Sequence, residues 1–175
     1  MYKHSLRFLT MLICCHAGAA FGGCGDDAAA MRYLRGIDAM DWSTMRALLA
    51  GDARYTDPTM SHYDRPPIEL RGADDIVDFW RTSSAESGTS EIDYRITGCF
   101  ETAGYSIVNM DIRISVAGAY WDVAKDTIVI PGKVLSIIRV VDDRIAEHHD
   151  YVDYAEADRI VAALQSKYGR ATPGN

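Results

Sequence analysis

The amino-acid sequence predicts an α+β domain, on three observations. Apolar residues recur at helical spacing in the first part of the chain, and long strand-like segments fill most of Ser90 to Asp153. The 175 residues, 48% of them hydrophobic, suffice for one core. Helices first and a run of antiparallel strands afterwards is the α+β pattern.

The elements follow in order. "DAAAMRYLRGIDAMD" places Met31, Leu34 and Ile37 at helical spacing behind an Asp that can cap. "DWSTMRALLAG" repeats the pattern, with Asp41 as cap and Gly51 as stop. "ARYTDP" reads as a strand and "MSHYDRPPIELRG" as an ordered loop with two prolines. "GADDIVDFWRTSSAES" predicts a third helix with Ile76, Phe79 and Trp80 on one face. Four strands come next, "SEIDYRITGCFETA", "YSIVNMDIRISVAG", "TIVIPGKVLSIIRVVDD" and "RIAEHHDYVDYAEA", separated by Gly and Asp turn signals. The interval "GAYWDVAKD" extends one hairpin, "AEADRIVAALQSKYG" predicts a closing helix, and residues 169–175 read as a disordered tail.

Residues 1–24 belong to targeting. "MYKHSLR" is a basic start, "FLTMLICCHAGAAF" an apolar run too short to span a bilayer comfortably, and "AGAAFGGCG" a string of small residues. The chain is therefore expected to be exported, periplasmic or membrane-anchored. Two cleavage sites compete: an A-x-A type cut near Ala19 or Ala20, and a lipoprotein-type cut before Cys24 in "FGGC", which would place a lipid anchor on that residue. Cys14 and Cys15 leave with the leader. A lipidated Cys24 leaves Cys99 alone as a small core residue; otherwise an oxidising compartment allows a disulfide between them.

The net charge of −7 is spread along the chain, and loss of Lys3 and Arg7 makes the mature protein more acidic still. Without clustered Lys and Arg, nucleic acid is not a partner. The domain proper spans residues 28–168.

Strand periodicity bears on function. From Val108 to Val116 the even positions are apolar, while Asn109, Asp111, Arg113 and Ser115 form a polar face that either meets solvent or lines a pocket. "IAEHHDYVDY" is less regular. His148 and Asp150 share a face with Ala146 and Val152, a mixture awkward both as core and as surface and suited to a cavity wall. Tyr55 and Asp57 likewise share a face of "RYTDP". Neighbouring His148 and His149 point to opposite faces, so the pair cannot hold one metal ion.

Two helices, "YTDP" after the first strand, a helix opened by "RGADDI", long strands and a closing "DDRIAEHHDYVD" together resemble the nuclear transport factor 2-like superfamily, in particular its SnoaL-like and limonene-epoxide-hydrolase-like branches. The resemblance covers most of Ala28 to Leu164. It implies a cone, a curved antiparallel sheet wrapped around the N-terminal helices (a cystatin-like α+β barrel) that encloses a mostly apolar pocket for a small apolar molecule. It also implies catalysis without a cofactor where there is catalysis, and a homodimer through the outer sheet face. Aliphatic residues on both faces of "VLSIIRVV" suit that interface and suit a buried central strand equally.

Likeness to the epoxide hydrolases puts a water-activating base on Asp150, an acid on Asp111, and water-holding groups on Tyr55 and Asp57, with Asn109 where that family carries a charged Arg. Similarity to ketosteroid isomerases picks out Tyr33 and Asp57. Similarity to SnoaL-type cyclases has Asp150 and His148 share acid/base duty. Tyr33, Asn109 and Trp80 are the substrate-contact candidates. The fold also serves non-catalytic binders, so a ligand-binding or dimeric interaction module is the alternative to an acid/base hydrolase, isomerase or cyclase.

Overall fold

The computed structural model describes residues 24–26 and 28–171; the expected leader lies outside the described residues. Two short helices open the domain, α1 (Ala29–Asp38) and α2 (Trp42–Leu48). They are followed by strand β1 (Leu49–Asp57), a 3-10 turn (Pro58–Tyr63), strand β2 (Ile68–Arg71) and helix α3 (Ala73–Glu86). The second half comprises β3 (Glu91–Thr102), β4 (Tyr105–Ala117), a second 3-10 turn (Gly118–Trp121), β5 (Thr127–Val141), β6 (Arg144–Val152) and helix α4 (Tyr154–Tyr168).

Local chemistry explains most boundaries. Asp41 caps α2 through the Thr44 backbone N–H at 3.0 Å. The hydroxyl and backbone hydrogen bonds from Thr44 hold its carboxyl down at about 2. Ala28 stands at the N-cap of α1 without a side-chain cap bond, and Asp27, the expected cap, lies outside the described residues. Gly51 does not stop α2. The helix ends at Leu48, so that Leu49 can bury in β1, and Gly51 falls inside that strand. The segment expected as a loop after β1 holds both the first 3-10 turn and β2. The β3–β4 and β5–β6 hairpins turn on Ala103–Gly104 and Asp142–Asp143, all four with positive φ, the conformation that lets a two-residue turn match the twist of its strands.

The six strands form one sheet in the order β2-β1-β6-β5-β4-β3. The sheet is mixed and not purely antiparallel as the sequence led one to expect, because β1 and β6 run parallel. Each hairpin reverses direction, but this closing pair joins the first long strand to the last, and nothing local dictates its sense. Register shifts in β1, β3 and β5 bend the sheet into an open, strongly curved wall. The α1–α3 side packs on its inner face, where Tyr33, Ile37, Met45, Ile76, Val108 and Ile138 are buried together. A smaller cluster at one end seats Ala157 and Val161 of α4 against Val116, Ile128 and Ile130. Gly169 and Ala171, at the start of the expected tail, are held by backbone bonds with Ala124 and Asp122.

Cys24 and Cys99 are disulfide-bonded, with Cα atoms 5.6 Å apart and 75 residues of separation. The bond fastens the chain just ahead of α1 onto β3. Closing a loop of that length removes unfolded-chain entropy worth roughly 4.5 kcal/mol at most. Cys99→Ser is accordingly expected to lower unfolding free energy by about 2–4 kcal/mol, measured by urea titration. Reductant should shift the parent by a similar amount and leave the variant unmoved.

Candidate active site

Three strands and one helix bring polar side chains to a single point on the inner face. In β6 the alternate residues His148 and Asp150 point inward, 1% and 5% exposed. The parallel register sets Tyr55 of β1 beside His148, and the antiparallel register sets Ser136 of β5 opposite Asp150. Helix α1 lays Tyr33 over them, fully buried.

The contacts form a chain. Tyr33 Oη lies 3.2 Å from His148 Nδ1, and His148 Nε2 lies 2.8 Å from Asp150 Oδ1. Ser136 Oγ donates to the same oxygen, while Tyr55 Oη donates to Asp150 Oδ2 at 3.1 Å. The rings of Tyr33 and Tyr55 meet the imidazole edge-on, with centroids at 5.4 and 5.1 Å. Behind Tyr55 stand Phe79 and Trp80 of α3, at 5.9 and 5.8 Å.

Electrostatics fix the protonation pattern. Burial pushes the Asp150 carboxyl upward, but the charge and hydrogen bond of His148, with the hydroxyls of Ser136 and Tyr55, outweigh it and hold the group below its ordinary value. Asp150 is thus the anion of the site. Burial first, and then the Asp150 charge, drive Tyr33 and Tyr55 well above the usual phenol range, so both stay neutral donors. His148 stands between the two, its Nε2 against the Asp150 carboxylate and its Nδ1 against the Tyr33 hydroxyl. A hydroxyl, an imidazole and a carboxylate in line can pass a proton in either direction.

The other candidates lie elsewhere. Asp57 is buried, but one oxygen accepts from the Thr59 backbone and hydroxyl, and the other from Tyr154 Oη at 2.6 Å. It caps the first 3-10 turn and moors α4. Asn109 and Asp111 are not beside Asp150. The row that contains Asp150 runs through Ser136 to Val108, so odd-numbered β4 residues face outward. Asp111 pairs there with Arg95. Inside, β4 offers Val108, Met110 and Ile112, and contributes no second carboxylate. Asn109 and Asp111 instead border an open groove of about 730 Å³ that also touches Lys133, Leu135 and Tyr151. Trp80 stands next to Tyr55, and its indole N–H is buried with no acceptor among the described residues.

Ser136 is the member of the network that the sequence reading passed over. It interrupts the inward set Val134, Ser136, Ile138, and a hydroxyl on an otherwise apolar strand face was the available signal. His149, by contrast, faces outward and contacts Thr56 at 2.7 Å.

The model of the SnoaL-like domain matches residues 30–148. The chain belongs to the SnoaL-like family. Its curved-sheet fold is the nuclear transport factor 2-like one, as three solved structures illustrate. A SnoaL-like polyketide cyclase candidate from Shewanella putrefaciens is 19% identical with a TM-score of 0.66, over 78% of this chain and 95% of its own. An LEH-like epoxide hydrolase of M. tuberculosis is 15% identical, TM-score 0.62, over 79% and 90%. A ketosteroid isomerase candidate from Kribbella flavida is 17% identical, TM-score 0.52, over 71% and 74%. At these identities the likeness is one of fold. No curated protein sequence matches the chain significantly.

In this SnoaL-like domain the buried anion links stability to pH. Asp150 has a folded-state value below its unfolded value, near 3.9, so its contribution is complete above that pH and is lost as the pH falls through the folded value. Asp150→Asn leaves His148 without its charged partner and should cost about 3 kcal/mol at pH 7. Denaturant titrations at both pH values are expected to show that penalty shrinking toward pH 3, while a constant difference would disconnect the network from the carboxylate's charge.

Proposed function

We propose that this SnoaL-like domain is an exported catalyst of proton transfer on a small, largely apolar molecule, with His148 and Asp150 as its acid/base pair. One observation carries the reading: the unbroken Tyr33–His148–Asp150 hydrogen-bonded chain, flanked by Tyr55, in the buried interior. A carboxylate that stays ionised beside an imidazole sets up a base whose acid form is held close by. Tyr33 and Tyr55 supply neutral phenols whose hydroxyls hold the pair in place. The Trp80 indole N–H, buried without an acceptor among the described residues, suits an oxygen-bearing substrate.

Epoxide opening by an Asp111–Asp150 pair is not part of the proposal, since Asp111 faces away. That leaves isomerase, lyase or cyclase chemistry, where one acid/base group serves both proton transfers. Assembly as a homodimer through the outer sheet face belongs to the same reading. Phe100, Ile107 and Ile137 are cross-strand neighbours there, next to Leu135 and Tyr151.

A second reading has its own support. All four polar groups around Asp150 are buried and mutually satisfied, as they would be in a polar core that only shapes a ligand-binding or interaction module. Incubating the mature protein in D₂O with a panel of enolisable ketones and unsaturated lactones separates the two. The catalyst is expected to incorporate deuterium or to form isomer, with turnover reduced about 10²–10⁴-fold in both Asp150→Asn and His148→Gln. Variants indistinguishable from the parent would leave the module.

A further inference from the structure

We infer that the Cys24 thiol is committed to Cys99, so that Cys24 is a structural half-cystine and not a lipid attachment point. The sequence before it allows both fates, because "FGGC" and "AGAA" each fit a cleavage enzyme. The two fates compete for one atom. A lipoprotein carries diacylglycerol in thioether linkage on the cysteine sulfur, and that sulfur then cannot enter a disulfide. In this fold Cys24 Sγ is bonded to Cys99 Sγ, across a Cα separation of 5.6 Å that lies in the ordinary range for such bridges.

The surroundings support the same assignment independently of the bond. Cys24 is half-buried and packs on the margin of the main core. The next residues fold at once: Ala28 N–H donates to Gly25 O at 2.9 Å, and Asp26 meets Arg35 of α1 at 2.9 Å. Helix α1 begins at Ala29, which is already buried. A lipid on Cys24 would therefore draw the base of α1 and the adjacent part of β3 against the bilayer, with no spacer between. The chain's acidic balance would also be repelled by an anionic membrane surface.

The chemistry is a two-electron oxidation. One of the two thiolates attacks a disulfide of the protein thiol-oxidase class and forms a mixed disulfide. The second thiolate then displaces the oxidase cysteine and closes Cys24–Cys99. Both electrons end on the oxidase, which leaves as a dithiol. Cleavage must then lie upstream of Cys24, at the small-residue site near Ala19 or Ala20, and the mature chain is released without an anchor.

The test is to express the full chain with its own leader in a bacterial host with an oxidising periplasm and to purify it without reductant after alkylating free thiols. The expected product is in the soluble extracytoplasmic fraction, begins upstream of Cys24, carries no lipid, and is lighter by two hydrogens than after reduction. Proteolysis should yield one peptide pair joined through Cys24 and Cys99. Cys24→Ala should be cleaved at the same place and released as before, now with Cys99 alkylated. Diacylglycerol on an amino-terminal Cys24, partition into the detergent phase, alkylation of both cysteines in the parent, or retention of uncut Cys24→Ala precursor would each overturn the assignment.

Discussion

An ionised carboxylate cannot be placed in a protein interior without several donors around it, since the uncompensated penalty is several kcal/mol. Asp150, 5% exposed, sets that requirement here, and much of the fold can be read as the answer to it. Tyr55 comes from β1, Ser136 from β5, His148 from its own strand, and Tyr33 from α1 by way of His148. The registers of β1 and of β5 against β6 are constrained together. A slip of one residue between β5 and β6 would turn Ser136 outward and present Leu135 or Ile137 to the anion. The polar network thus contributes specificity of register, which an all-aliphatic interior would leave weaker.

A second buried carboxylate shows how environment divides labour. Asp57 lies two residues after Tyr55 on the same strand, yet its oxygens are taken by Thr59 and Tyr154. Its partners belong to the first 3-10 turn and to α4, two elements also joined by His62 and Tyr63 on Asp158. Burial first, then the Asp57 hydrogen bond and charge, drive the Tyr154 phenol well above its usual range, so this contact is a fixed donor–acceptor pair. One acid is embedded in a titratable chain and the other anchors a corner of the domain. The difference arises from neighbours, since the residue type is the same.

Much of this was legible in the chain itself. The helices and long strands stood out because their apolar spacing is local. The inward pairing of His148 with Asp150 followed from a period of two and from the poor fit of either residue to core or surface. Placing Asp111 in the site failed for a related reason. Alternation says which residues share a face but not which face is inside, and in β4 the greasy even set took the interior while family likeness had favoured the odd one. Ser136 was hidden among aliphatic neighbours. The parallel sense of β1 against β6, and the pairing of Cys24 with Cys99, are contacts between distant parts of the chain and leave no local trace.

That closing parallel pair also governs when the molecule becomes complete. Tyr33 and Tyr55 lie in the first third of the sequence, and His148 and Asp150 near its end, brought together by the β1–β6 seam and by α1 laid over it. Contacts so far apart are slow to form because the intervening loop must be closed first. As the chain is synthesised, or threaded across a membrane from its amino end, α1 and β1 wait without their partners until β6 arrives. Throughout that interval the edge of β1 that will receive β6 is open for pairing with another chain. The seam that assembles the site is thus also where a half-made copy is most exposed to misassociation.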